Sequence, residues 1–258
     1  MIYIVDVDLT NNIQKYIFDK LNIDYKLYEP SYSELDDLIN SDNYTGILFG
    51  LGFREYLENK YKQEFQKNKG IDLIYKKNDN ITFYNSLYEG LSRFFDDMNV
   101  NLNNKTTVIL GSSYTSRVVY EVIKDKFLST VYIASITKEV NKKLRPGDIR
   151  IKKVEIMNLE KVDFIINTTE LGNINQENYC LLDNEKEVPS REVLDMVYYP
   201  VKTTFIRKYE NKGSKIYSGL NVIIYQTLYA ICKITNKYEY FEKFDEVYDY
   251  LYKLLDTN

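Results

Sequence analysis

Thr106-Thr107-Val108-Ile109-Leu110-Gly111 is an apolar run closed by a glycine. Continuous apolar runs suit a parallel strand buried on both faces. Ser116 to Lys126 follows with helical spacing, and Val131-Tyr132-Ile133-Ala134 reads as the next strand. Together they span about thirty residues, the length of a β-α-β crossover unit.

Working outward, Val162 to Asn167, Glu192 to Asp195 and Lys215 to Tyr217 read as later strands. Thr203 to Asn211, Leu220 to Ile234 and Phe241 to Leu255 read as helices. Toward the N-terminus, strands are expected at Ile2 to Val5, Tyr25 to Tyr28, Gly46 to Phe49, Ile71 to Tyr75 and Ile81 to Tyr84. The last two are joined by the polar turn Lys77 to Asn80. Helices are expected at Asn12 to Leu21, Ser33 to Leu38, Phe53 to Gln66 and Leu87 to Met98. Ser33, with Asp36 three residues on, reads as the cap of the second helix. Asn99 to Asn104 reads as a linker. Alternation of strand and helix argues for parallel sheets in an α/β fold.

The chain has 258 residues and is 44% hydrophobic, enough for one large or two small domains. With 34 basic and 38 acidic residues and no long basic block, no nucleic-acid partner is expected. No signal-peptide pattern or spanning apolar stretch is legible, so a cytoplasmic protein without a membrane partner is expected. Cys180 and Cys232 read as reduced thiols. There is no His, which excludes a Ser-His-Asp triad, a Cys-His dyad and His-ligated metal. No metal is expected. Acid-base chemistry must come from other side chains or from a substrate.

Several local patterns, in order, resemble the shikimate dehydrogenase family. Leu194-Asp195-Met196-Val197-Tyr198-Tyr199-Pro200 is similar to that family's Asp-x-x-Tyr-x-Pro segment. Lys212-Gly213 follows, then Gly219-Leu220-Asn221 to Tyr225-Gln226, which resembles a Gly-Leu-x-x-x-x-x-Gln stretch. Asn167-Thr168-Thr169-Glu170-Leu171-Gly172 resembles Asn-Ala-Thr-Pro-x-Gly, and Phe83-Tyr84-Asn85-Ser86 resembles Gly-Tyr-Asn-Thr. The resemblance implies two domains with a cleft between them. One is an N-terminal α/β substrate domain, residues 1–98 plus the C-terminal helices 224–258. The other is a Rossmann-type NADP-binding domain, residues 99–223. It implies NADP-dependent reduction of 3-dehydroshikimate or a related cyclic hydroxy acid, by a monomer or homodimer.

The implied site residues depart from the family pattern. Two substrate-binding Ser positions hold Asp8 and Thr10, and an ionised Asp repels a carboxylate. The catalytic Lys position holds Arg54, whose pKa is too high for a base. A slip of one or two residues in the alignment around Phe49 to Arg54 would move Lys60 or another residue into the cleft. The catalytic Asp position holds Leu87, and a substrate-binding Asn position holds Asp72. Asn85 and Gln226 match the family, either as ligand contacts or as a loop hydrogen bond and a helix-buried amide. The phosphate loop Gly-x-Gly-Gly-x-x-Arg becomes Gly111-Ser112-Ser113-Tyr114-Thr115-Ser116-Arg117. Its side chains crowd a place where glycines let backbone approach pyrophosphate. The Asn-Arg-Thr clasp of the NADP 2′-phosphate becomes Ser135-Ile136-Thr137, with Lys138 as a substitute cation. Asn167, Thr169 and Gly219 complete the implied cofactor set. Two readings stay open: a divergent NADP-dependent oxidoreductase, or a non-catalytic descendant binding another small molecule or a protein.

Overall fold

A computed structural model of the protein describes residues 1–10, 12–78, 80–136, 144–182 and 188–256. The chain divides into two compact units, Met1–Leu91 with Ile223–Lys253, and Ser92–Val222 with Leu254–Asn258. Among the described residues, no helix is long and apolar enough to cross a membrane.

The first unit begins with β1 (Ile2–Val5), α1 (Gln14–Lys20), β2 (Tyr25–Tyr28), α2 (Tyr32–Asn40) and β3 (Gly46–Phe49). A 3-10 turn (Leu51–Phe53) leads into α3 (Arg54–Lys60) and α4 (Lys62–Lys67). β4 (Leu73–Lys77), β5 (Asn80–Tyr84) and α5 (Ser86–Asp97) follow. The sheet order is β2-β1-β3-β4-β5. β1 pairs in parallel with β2 and β3, but β3–β4 and β4–β5 are antiparallel. The expectation of parallel pairing holds for β1, β2 and β3 but not for β4, while β4 and β5 form the hairpin that their short polar turn predicts. β4 and β5 are separated only by residues 78 and 79, too few for the dozen-residue crossover that parallel pairing needs.

Three local expectations are corrected. Ser31, not Ser33, caps α2: its hydroxyl accepts from the Glu34 N–H (3.3 Å), and the Glu34 carboxylate accepts from the Ser31 N–H (2.8 Å). Glu reaches back to the cap where Asp36, one methylene shorter, does not complete the box around Ser33. The helix expected over Phe53 to Gln66 breaks at Tyr61 (φ −115°, ψ 47°), whose ring packs on Phe83 at 4.7 Å. The strand expected at Ile71 starts at Leu73, because Asp72 is turned to the start of α5.

The second unit carries β6 (Thr106–Leu110), α6 (Tyr114–Lys126), β7 (Thr130–Ser135), β8 (Ile149–Lys152) and a 3-10 turn (Lys153–Asn158). β9 (Val162–Asn167), β10 (Ser190–Asp195), α7 (Thr204–Glu210) and β11 (Lys215–Ser218) follow. α8 (Gly219–Thr235), a 3-10 turn (Tyr238–Lys243) and α9 (Phe244–Asp256) end the chain. The six strands are ordered β11-β10-β9-β6-β7-β8, every pair parallel. Read from β8, this is the 3-2-1-4-5-6 order of a Rossmann sheet. β6 and β9 supply its centre with buried Val108, Ile109, Phe164 and Ile165. β8 escaped the sequence reading because it is a short edge strand in which only Ile151 is buried.

Candidate functional site

In the first unit the register collects the candidate residues on one sheet edge. Val5 and Phe49 are paired at the carboxyl ends of β1 and β3. The antiparallel turn of β4 and β5 pairs Leu73 with Tyr84 beside them, so Asp72 and Asn85 flank the same edge. Asp6, directly after β1, accepts from the Val7 N–H (2.8 Å) and the Gly52 N–H (3.0 Å). Burial pushes its carboxyl up, against the opposing pull of these N–H groups and of the Arg54 charge. Asp8 and Thr10 are exposed, and the Thr10 hydroxyl and N–H hold Asp8 below the usual carboxylate range.

Arg54 is buried at the start of α3, and its guanidinium donates to the carbonyls of Ile71 (2.5 Å) and Phe49 (2.6 Å). It ties the end of β3 to the approach to β4. Lys60 lies elsewhere, bonded to the Asp36 carboxylate and, at 2.9 Å, to the Tyr56 hydroxyl. Asp72, 2% exposed, receives the Ser86 N–H (2.5 Å), the Ser86 hydroxyl (2.9 Å), the Leu87 N–H (2.8 Å) and Gln226 Nε2 (3.0 Å). The carboxylate thus caps α5, as negative charge does well at a helix N-terminus. Asn85 donates to the carbonyl of Lys69 (2.9 Å), and its Oδ1 accepts from the Tyr88 N–H (3.0 Å). Leu87 is buried. Asp72, Gln226, Leu87 and Asn85 are thus brought together, with Asp72 and Gln226 in direct contact.

In the second unit one register row, Ala134, Leu110, Asn167, Asp195 and Ser218, crosses the carboxyl edge of the sheet. Strand order reverses at β6, so the edge between β6 and β9 is the switch point where open α/β sheets bind ligands. Gly111 sits there at φ +110°, a conformation that favours glycine. A Cβ on Gly111 would lie 2.8 Å from Thr168 Oγ1. Ser113, exposed, is the N-cap of α6 but makes no side-chain cap bond. Ser112, Thr115 and Arg117 are half-buried, and Arg117 lies 6.0 Å from the ring of the buried Tyr114. Asn167 Oδ1 accepts from the Thr169 N–H (3.1 Å) and hydroxyl (2.7 Å). A Cβ on Gly219 would meet the Met196 carbonyl oxygen at 2.5 Å, so α8 can start there only without a side chain. Thr137 and Lys138 lie outside the described residues, while Ile136 before them is exposed.

These residues fit a dinucleotide pyrophosphate. Bare backbone at Gly111 leads into a helix whose first-turn N–H groups are not capped by the Ser113 hydroxyl, which leaves donors for phosphate oxygens. Sequence reasoning missed three polar residues on these edges. Asp6 was signalled only by following a strand, Asp195 by its place in the Asp-x-x-Tyr-x-Pro stretch, and Thr203 by preceding a helix. Thr203 accepts from the Ile206 N–H (3.1 Å) and donates to Asp195 Oδ2 (2.5 Å).

No family profile matches the chain. It is 30% identical over 169 residues to the shikimate dehydrogenase (NADP(+)) of Caldicellulosiruptor bescii, covering 63% of this chain and 59% of that protein. It is 25% identical to the same-named protein of Caldicellulosiruptor saccharolyticus over 250 residues, 89% of this chain and 90% of that one. Among solved structures, a chorismate mutase/shikimate 5-dehydrogenase fusion protein from Clostridium acetobutylicum superposes with a TM-score of 0.85 at 22% identity, covering 100% of this chain and 98% of that one. A shikimate dehydrogenase in complex with NADP+ has a TM-score of 0.75 at 20% identity, covering 92% and 90%. The two structures share the fold.

Proposed function

We propose, from its likeness to shikimate dehydrogenases, that the chain is an NADP(H)-dependent oxidoreductase of that family acting on 3-dehydroshikimate or a related cyclic hydroxy acid. The cofactor role falls to residues 99–223 and the substrate role to 1–98 with 224–258. The observation that carries this reading is the β6–β9 switch point, where Gly111 turns into an uncapped helix start beside the Asn167–Thr169 turn. Gly111 and the first turn of α6 would hold pyrophosphate, with Asn167, Thr169 and Gly219 shaping the same edge. NADPH supplies a hydride when bound.

The proton that accompanies reduction needs a carboxyl or phenol, since Arg54 stays charged and Leu87 does not ionise. Asp6 is the candidate, because burial keeps its proton to higher pH than that of the exposed Asp8. The test follows nicotinamide absorbance with 3-dehydroshikimate and a panel of cyclic keto acids. Turnover is expected with NADPH, and Asp6→Asn is expected to lower kcat at least tenfold and to flatten the alkaline limb of the pH profile, where a proton donor is lost by deprotonation. No turnover across the panel, with either nicotinamide cofactor, sinks the reading.

A second reading, a non-catalytic descendant, is favoured by one specific observation. Arg54, Asp72, Asn85 and Gln226 direct polar groups at one another or at backbone. A thermal-shift screen separates the two, since a ligand at 100 times its Kd stabilises by about 2.7 kcal/mol. Stabilisation by a metabolite outside the shikimate class, without turnover, supports the second.

A further inference from the structure

Asp195 sits in the middle of the carboxyl-edge row, between Asn167 of β9 and Ser218 of β11, with no exposed surface. Its carboxylate accepts from Asn167 Nδ2 (2.8 Å), the Val197 N–H (3.1 Å) and the Thr203 hydroxyl (2.5 Å). An ionised carboxylate can only accept, so it turns the NH2 of Asn167 toward itself. The amide oxygen must then point the other way, where it receives both the N–H and the hydroxyl of Thr169. The charge on Asp195 therefore reinforces the amide orientation that the Leu171 carbonyl (3.5 Å) and the Thr169 N–H (3.1 Å) also select, and the amide shapes the turn beside Gly111.

We propose that Asp195 is a positioning residue for the cofactor edge: its ionised form locks the Asn167 amide and the Thr169 turn, and NADP(H) affinity follows its charge state. This rests on the dinucleotide reading above. The neighbouring elements bring Asn167, Thr203 and Ser218 alongside Asp195, none of which titrates near neutrality. Burial pushes the carboxyl up to about 6, against the pull of Thr203, Val197 and Asn167. Below that pH the carboxyl gains a proton and becomes a donor, and the pull of its charge on the amide is lost.

The experiment has two readouts over a titration from about pH 5 to about pH 8, a window set by this pKa. One is the Thr169 backbone amide resonance in the free protein, and the other is the Kd for NADPH. In the wild type both should change through one inflection near the pKa of Asp195, with affinity falling by about tenfold per unit at most for one linked proton. Asp195→Asn should remove the inflection from both. Thr203→Val removes a donor to the ionised form, so it should move the inflection to higher pH. It also serves where the Asn variant fails to fold. A Thr169 inflection unchanged in Asp195→Asn, or unmoved in Thr203→Val, overturns the proposal. The amide titration with no NADPH binding at any pH overturns the dinucleotide reading instead. NADPH binding with no amide titration overturns this inference alone.

Discussion

Arg54 shows what a buried guanidinium can do for a fold. A lysine carries a point charge on a flexible stem, whereas the planar guanidinium presents a fork of donors. In this chain the fork bridges the carbonyls of Ile71 and Phe49, both in the interior. Arg54→Met should cost about 3 kcal/mol, since two buried acceptors lose their donors at about 1–3 kcal/mol each. Arg54→Lys should recover part of that loss. Urea unfolding checks both, and an unchanged midpoint for Arg54→Met would show that the fork does not support the fold. Asp72 is likewise occupied. Asp72→Ala should cost about 3–5 kcal/mol by stranding the donors of Ser86, Leu87 and Gln226, measurable in the same unfolding assay.

At the scale of elements, the start of α2 separates two caps of identical spacing. Ser31→Ala should cost about 1 kcal/mol, and Ser33→Ala should be nearly neutral. Equal losses in a denaturant titration would contradict the capping box observed at Ser31 and Glu34. β6, β7, β9 and α6 were legible because apolar runs and helical periodicity are local signals. β8 and the break at Tyr61 were not, because an edge strand with one buried residue and a ring packed on Phe83 leave little local trace.

At the scale of the molecule, pH acts through Asp195. Its folded carboxyl is pushed up to about 6 from an ordinary value of 3.8. The sign follows: the fold is favoured most below the unfolded value, where the group is protonated in both states. That advantage is lost as pH rises through about 6. The two-unit shift corresponds to a few kcal/mol. Asp195→Asn should remove this component of the stability difference between about pH 4 and about pH 7, read as Tm. The same pH dependence in variant and wild type would show that another group dominates this window.

What the amino-acid sequence determined by itself was the class of architecture, the order of most elements and the family likeness. All of these rest on local patterns and on their order along the chain. It also named Arg54, Leu87, Asp72, Asn85 and Gln226 as positions of interest. Only the tertiary structure decided what those side chains do for the fold. The antiparallel turn at β4–β5 brings Asp72 to the start of α5, and Gln226 reaches it from 154 residues away. The row that sets Asn167 beside Asp195 likewise depends on strands pairing across 28 residues. Such contacts follow from register and burial, which pair residues distant in sequence and so leave no periodic signal in it.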